Sequence, residues 1–279
     1  MDQKSGKRDA GRVPQMFCRG AAIVPWSGTV AGILVSAFWE EMWGLNIDST
    51  IRRPLRGIME KEGAKMMKKR ILCYGDSNTY GYNPMGGRYD EDSRWPMVMQ
   101  SALGEGYRVV EEGFNGRTFS QDDPTEGGFK SGVAYLPPCL MTHNPLDLVM
   151  VMLGTNDTKQ RFGLSAQAIA HNLKEFVRIV RSYALDELGR PPKILVIAPP
   201  LIGDWLEGTI FYGHFGPEAP AKSRELSRQM RRYAKLLGCG YFDGAQCASP
   251  CKADAVHLMP DQQRKLGLAL ADKAREMLG

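Results

Sequence analysis

Residues 146–153, Leu-Asp-Leu-Val-Met-Val-Met-Leu, place seven apolar side chains in eight positions. A strand that is apolar on both faces must be covered on both faces. That is the position of a central strand in a parallel sheet between two helical layers. The run ends abruptly in the polar turn Gly154-Thr155-Asn156-Asp157. The flanking chain repeats this arrangement. Residues 70–74 and 107–112 read as the first and second strands, 193–198 as the fourth and 240–243 as a short fifth. Helical spacing occupies the intervals at 95–103, 165–184, 222–237 and 260–278. In the second of these, Ile169, Leu173, Phe176, Val177 and Val180 fall on one stripe. Residues 113–136 read as a long Gly- and Asp-containing connection, and 201–220 as an irregular aromatic-rich insert. Strands that alternate with helices specify the α/β class. The expected architecture is a three-layer α/β/α domain over residues 66–279. Its flavodoxin-like sheet has about five parallel strands, joined by right-handed crossovers.

Residues 1–65 do not share this pattern. They begin polar and basic, then carry an uncharged run over 20–39. The run is long enough to span a membrane, but Pro25, Gly20, Gly28, Gly32, Ser27 and Thr29 dilute it, and no small-x-small cleavage site follows. The expectation is a poorly ordered N-terminal extension. Export or anchoring through residues 20–39 is the alternative. The net charge is +5, with acids and bases interspersed. No basic stripe is interleaved with aromatics, so nucleic acid is not an expected partner. The six cysteines are scattered without a Cys-x-x-Cys pair. Cys247 and Cys251 lack neighbouring ligand types for zinc. Cys73 and Cys139 read as core thiols. This usage points to a reducing, cytoplasmic setting.

In a parallel sheet all strand C-termini lie on one edge. Three polar turns therefore converge: Ser77 after the first strand, Asn115-Gly116 after the second and Asn156-Asp157 after the third. Asp254-Ala255-Val256-His257 precedes the last helix and is the fourth piece. Each alone is bland, since Asp-x-x-His is a common turn and Asn156-Asp157 a common helix cap. Together they carry the groups that acyl transfer needs. Ser77 is a weak nucleophile until a base removes its proton. His257 is the candidate base, with Asp254 three residues earlier to orient it. The backbone N–H groups of Ser77 and Gly116 and the Asn156 side-chain amide are candidate donors to an oxyanion.

Gly75-Asp76-Ser77, Gly116, Gly154-x-Asn156-Asp157 and Asp254-x-x-His257 resemble the four blocks of the SGNH (GDSL-type) hydrolase family, over essentially all of residues 69–279. Residues 111–113, 117–118, 122–125, 135–137, 146–149 and 154–159 resemble its arylesterase/acyltransferase branch. The resemblance implies Ser77 as nucleophile, His257 as base and Asp254 as its partner. Ser77, Gly116 and Asn156 would form the oxyanion hole, with no metal or organic cofactor. It further implies a small-molecule ester substrate of acetyl type, some acyl transfer to alcohols or peroxide, and a homo-oligomer. A membrane partner is not expected. One departure is visible: the family usually has Leu after the serine, where this chain has Asn78, which reads as a change in pocket polarity. Trp205, Phe211, Tyr212 and Phe215 are candidates to line the pocket, with a subunit contact or ordinary core as the competing reading. Two alternatives to a simple esterase stay open. One is a carbohydrate or lipid O-deacetylase on the same machinery. The other is a non-catalytic small-molecule binder on the same sheet edge, for which no Gly-x-x-x-x-Gly-Lys-Ser/Thr or Gly-x-Gly-x-x-Gly motif is present.

Overall fold

The computed structural model describes residues 68–279. The extension expected over residues 1–65, with its uncharged run at 20–39, lies outside the described residues. Among the described residues no helix is long and apolar enough to cross a membrane.

Five parallel strands form one sheet in the order β2-β1-β3-β4-β5. They are β1 (Lys69–Gly75), β2 (Tyr107–Gly113), β3 (Leu148–Met152), β4 (Lys193–Ala198) and β5 (Gly240–Asp243). Every side chain of β3 is buried, as its unbroken apolar run requires. Alternation along β1 splits the core in two. Leu72 and Tyr74 join Val149, Val151, Ile194 and Val196 on one face. Ile71 and Cys73 join Leu148, Met150, Leu195 and Ile197 on the other.

Two helices cover the second face: α2 (Trp95–Leu103), which follows the single turn α1 (Ser77–Tyr80), and a C-terminal helix, Pro260–Leu278. The first face is covered by α3 (Gly132–His143), α4 (Ala166–His171), α5 (Leu173–Tyr183) and, after the short α6 (Tyr212–Phe215), by α7 (Ala219–Leu236). The C-terminal helix is α8. On α5, Leu173, Phe176, Val177 and Val180 are buried. Each contributes about 2 kcal/mol of apolar transfer.

Two elements differ from expectation. Helix α3 begins inside the connection expected over 113–136 and continues through residues for which no element was expected, where Pro137 and Pro138 argue against a helix. An internal proline costs about 3 kcal/mol, and burial of Leu136, Cys139 and Leu140 against the sheet offsets it. The helix predicted over 165–184 is two helices that meet at Asn172. The Asn172 side chain bonds the Ala168 carbonyl and accepts from Ser120 Oγ at 3.1 Å, which ties the break to the loop after β2.

The strand order reverses between β1 and β3: β1 leads outward to β2, and β3 leads the other way to β4 and β5. Open α/β sheets place their crevice at such a switch point. Ser77 leaves β1 and Asn156 follows β3 on its two sides.

Candidate active site

Ser77 is the first residue of α1 and follows β1 after one residue. Asp76 caps the helix by accepting the Asn78 N–H at 3.0 Å. The tight turn needs α1 to lie against the end of β2, and a Cβ at Gly113 would overlap the Tyr80 backbone nitrogen. Gln263 on α8 fixes the other side. It accepts from the Trp95 N–H and donates to the Asn78 carbonyl, at 3.0 and 3.1 Å, and is fully buried.

Asp254 and His257 sit in the loop ahead of α8. Ala255 between them takes φ +62°, a left-handed turn that lets both side chains reach the same point. His257 Nε2 lies 2.8 Å from Ser77 Oγ, and His257 Nδ1 lies 2.6 Å from Asp254 Oδ2. Asp254 Oδ1 accepts the N–H groups of Val256 and His257 at 2.9 Å each, and the Cys251 thiol at 3.1 Å. Burial works against charge on Asp254, but the hydrogen bond and charge of His257, with these backbone donors, hold its carboxyl down at about 2. The imidazole lies between two aromatic rings, Tyr82 at 4.3 Å and Phe211 at 5.4 Å between centroids.

Gly116, in the turn after β2, has φ +77°, and a Cβ there would fall 2.6 Å from Glu126 Oε2. The left-handed conformation favours glycine, and a larger residue would also have to displace the Glu126 carboxylate. Among the described residues, the N–H groups of Ser77 and Gly116 donate to no protein acceptor. Asn156 Nδ2 donates one hydrogen to the Arg117 carbonyl at 3.1 Å, which leaves its second free. These three donors and Ser77 Oγ border one cavity of about 280 Å³.

The neighbouring Asp157 is wholly buried and accepts the Phe119 N–H at 3.0 Å, which locks the loops after β2 and β3 together. Burial pushes its carboxyl up to about 7. Free Asp titrates at about 3.9. Between about pH 4 and 7 the folded chain therefore holds a proton that the unfolded chain has lost, and stability falls as pH rises. Asp157→Asn keeps the acceptor to Phe119 without this penalty. Its Tm relative to the unaltered chain should climb across that window in thermal unfolding; a pH-independent difference would contradict a buried proton at this carboxyl.

Ser77, Asp254, His257, Gly116 and Asn156, which the sequence placed on four separate loops, come together here. Phe211 and Phe215 line the cavity; Trp205 and Tyr212 do not. Trp205 instead donates through Nε1 to the Cys251 carbonyl and packs with Ile202, Leu206 and Val256 behind the histidine loop. Asn78 does not set pocket polarity either. Its amide donates to the Val256 carbonyl and accepts the Leu258 N–H, at 3.3 and 3.0 Å, and so clamps the loop that carries His257.

Sequence reasoning missed Tyr82, Glu126, Lys159 and His214, all on the cavity wall. Lys159 is buried and pairs with Glu126 and with Asp123, the latter at 3.6 Å. Arg161 bridges the same two acids at 2.6 Å and reaches His214 Nδ1 at 3.2 Å. Burial pushes Asp123 up, but Arg161, Thr125 and Lys159 bring it down to about 2. No local pattern marks these groups, since the partners are more than thirty residues apart.

Known proteins share this fold. The Est24 carbohydrate acetylesterase from Sinorhizobium meliloti is 37% identical, with a TM-score of 0.69 over 75% of this chain and 100% of its own. The aryl esterase of M. smegmatis is also 37% identical, with a TM-score of 0.68 over the same shares. The acetylxylan esterase of Xylanibacter ruminicola is 29% identical over 129 residues, 44% of this chain. The chain spans about a quarter of that protein's length, 23%. The profile of the GDSL-like lipase/acylhydrolase family matches residues 73–268, and the chain belongs to that family.

Proposed function

We propose that this chain is a serine esterase that cleaves small, acetyl-type carboxylic esters through an acyl-enzyme on Ser77. The observation that carries the proposal is the unbroken hydrogen-bonded chain from Ser77 Oγ through His257 to Asp254, beside three free N–H donors. His257 Nε2 takes the hydroxyl proton as Oγ attacks the ester carbonyl. Asp254 holds the tautomer and balances the imidazolium. The oxyanion is held by the backbone N–H groups of Ser77 and Gly116 and by Asn156 Nδ2. His257 then protonates the leaving alcohol, and the same base activates water to release the acid.

The cavity of about 280 Å³ is below the range of about 300–1,000 Å³ that holds drug-sized ligands, which favours a short acyl group. The test is hydrolysis of p-nitrophenyl acetate, butyrate and octanoate by the full chain. kcat/KM should fall steeply with acyl length, and equal rates on octanoate would overturn the short-acyl assignment.

Asn156→Ala should lower kcat by about 10²–10³ with little change in KM, as for loss of one oxyanion donor. An unchanged kcat in steady-state assays would remove Asn156 from the hole.

A second reading, O-deacetylation of carbohydrates, is favoured by the polar wall of Glu126, Lys159 and His214, which lines the same cavity as the rings of Phe211 and Phe215. Such a wall can bond the hydroxyls of a sugar, and a carbohydrate acetylesterase is among the relatives. A higher kcat/KM on an acetylated sugar than on p-nitrophenyl acetate would favour it. Acyl transfer to alcohols or peroxide, a homo-oligomeric state, a cytoplasmic location and residues 66–279 as the catalytic domain belong to the same proposal. Their support is the resemblance to the arylesterase branch and the cysteine usage.

A further inference from the structure

Among the described residues, a cluster of ligand-type side chains outside the cavity lies at the C-terminal end of β2. Cys139 and His143 are four residues apart on α3, so they project from one helix face. Glu112, near the end of β2, meets them. One ligand atom from each of the three lies within 4.8 Å of the other two. His143 Nε2 is 2.8 Å from Glu112 Oε1.

We propose that Cys139, His143 and Glu112 form a binding site for a divalent cation of the zinc type, separate from the reacting serine. The donor set carries the assignment. Thiolate, imidazole and carboxylate together suit zinc, and carboxylates and carbonyls alone would suit magnesium or calcium. An ion pair would need only His143 and Glu112. The thiol adds a third ligand on the helix face that already carries the histidine. The geometry suits a three-residue site with an open position. Cys139 is buried, whereas the His143 and Glu112 side chains keep 24% and 18% of their exposure. A cavity of about 570 Å³ is lined by Glu112, Tyr135 and Pro138, and water entering from it would supply the fourth ligand.

Binding balances in protons. Burial keeps the Cys139 thiol protonated, so formation of the sulfur–metal bond releases that proton to solvent. The proton that His143 Nε2 shares with Glu112 moves through solvent to Nδ1, so that Nε2 binds by its lone pair and the Glu112 carboxylate exchanges its hydrogen bond for the metal. The Glu112 carbonyl accepts from the Arg117 guanidinium, which also donates to the Gly75 carbonyl at 2.9 Å just ahead of Ser77. A bound cation therefore stiffens the strand end beside the active site without touching it.

The test uses the full chain after chelator treatment. Zinc is titrated in competition with a chromophoric chelator, and cobalt is added as a spectroscopic substitute. The expected result is one zinc per chain and a thiolate-to-cobalt charge-transfer band in the near ultraviolet. Cys139→Ser should abolish the band. Cys139→Ser and His143→Gln should each weaken zinc binding more than about 10-fold, since even supporting residues of metal sites are worth that much. Without added metal, both variants should hydrolyse p-nitrophenyl acetate at the unaltered rate, which reports an intact fold. If Cys139→Ser does not fold, His143→Gln, at a partly exposed site, carries the test alone. No zinc retained, or one zinc retained equally by His143→Gln, would overturn the proposal. So would binding that is lost instead in His257→Gln.

Discussion

Ser77→Ala is expected to cut kcat for p-nitrophenyl acetate by about 10⁶. Removal of the serine from a comparable triad costs that much. The reason here is geometric. His257 Nε2 has Ser77 Oγ as its partner at 2.8 Å, and among the described residues no other serine, threonine or cysteine lines the cavity that holds the candidate oxyanion donors Gly116 and Asn156. The substitution removes one oxygen at the mouth of a cavity and leaves the Asp76 cap and the Gln263 hydrogen bonds in place. Thermal unfolding should therefore be nearly unchanged. An organophosphonate should label one site per native chain and none in the variant. A loss of less than about 100-fold, or labelling that survives, would show that Ser77 is not the nucleophile. A chain that binds esters without cleaving them would be labelled in neither form.

The next largest effect is expected at Asp254. Asp254→Asn should lower kcat by about 10⁴ with the loop intact, the loss seen when a triad carboxylate becomes an amide. Asp254 Oδ1 accepts the Val256 and His257 N–H groups, and an amide oxygen can keep both bonds. The amide nitrogen then falls where Oδ2 accepted from His257 Nδ1. It can only donate, so the ring must turn its lone pair to Asp254 and present N–H to Ser77, the wrong tautomer for a base. A second signature lies in acid. The Asp254 carboxyl sits at about 2 in the folded chain and at about 3.9 when free. Its contribution to stability is complete above about pH 4 and is lost as pH falls through about 2. The stability gap between the unaltered chain and Asp254→Asn should close over that interval. A kcat within tenfold of the unaltered value would take Asp254 out of the reacting chain.

Helices and strands with strong local periodicity were legible in the sequence. The apolar run over 146–153 fixed a central strand, and the stripe through Leu173, Phe176 and Val180 fixed a helix face. Both signals are set by residues that are neighbours in the chain. Helix α3 was not legible, because Pro137 and Pro138 argue locally against a helix that only the sheet beneath Leu136 and Leu140 can stabilise. Nor was the break at Asn172, which depends on Ser120 more than fifty residues away.

The candidate site divides in the same way. The sequence by itself determined the α/β class and the order of the strand ends. It also placed a serine, a glycine, an asparagine and an Asp-x-x-His on turns that a parallel sheet gathers at one edge. Topology alone makes that gathering, since every strand of such a sheet ends on the same side. Only the tertiary structure decided what the remaining side chains do. It put Asn78 against the loop of His257 instead of the pocket. It sent Trp205 and Tyr212 off the cavity and brought Phe211 to the imidazole. It also set Lys159, Glu126 and His214 on the wall of the same cavity. These assignments depend on where a side chain finds a partner across the fold. Burial makes such a partner compulsory for a polar group, and no local pattern states which partner it will be.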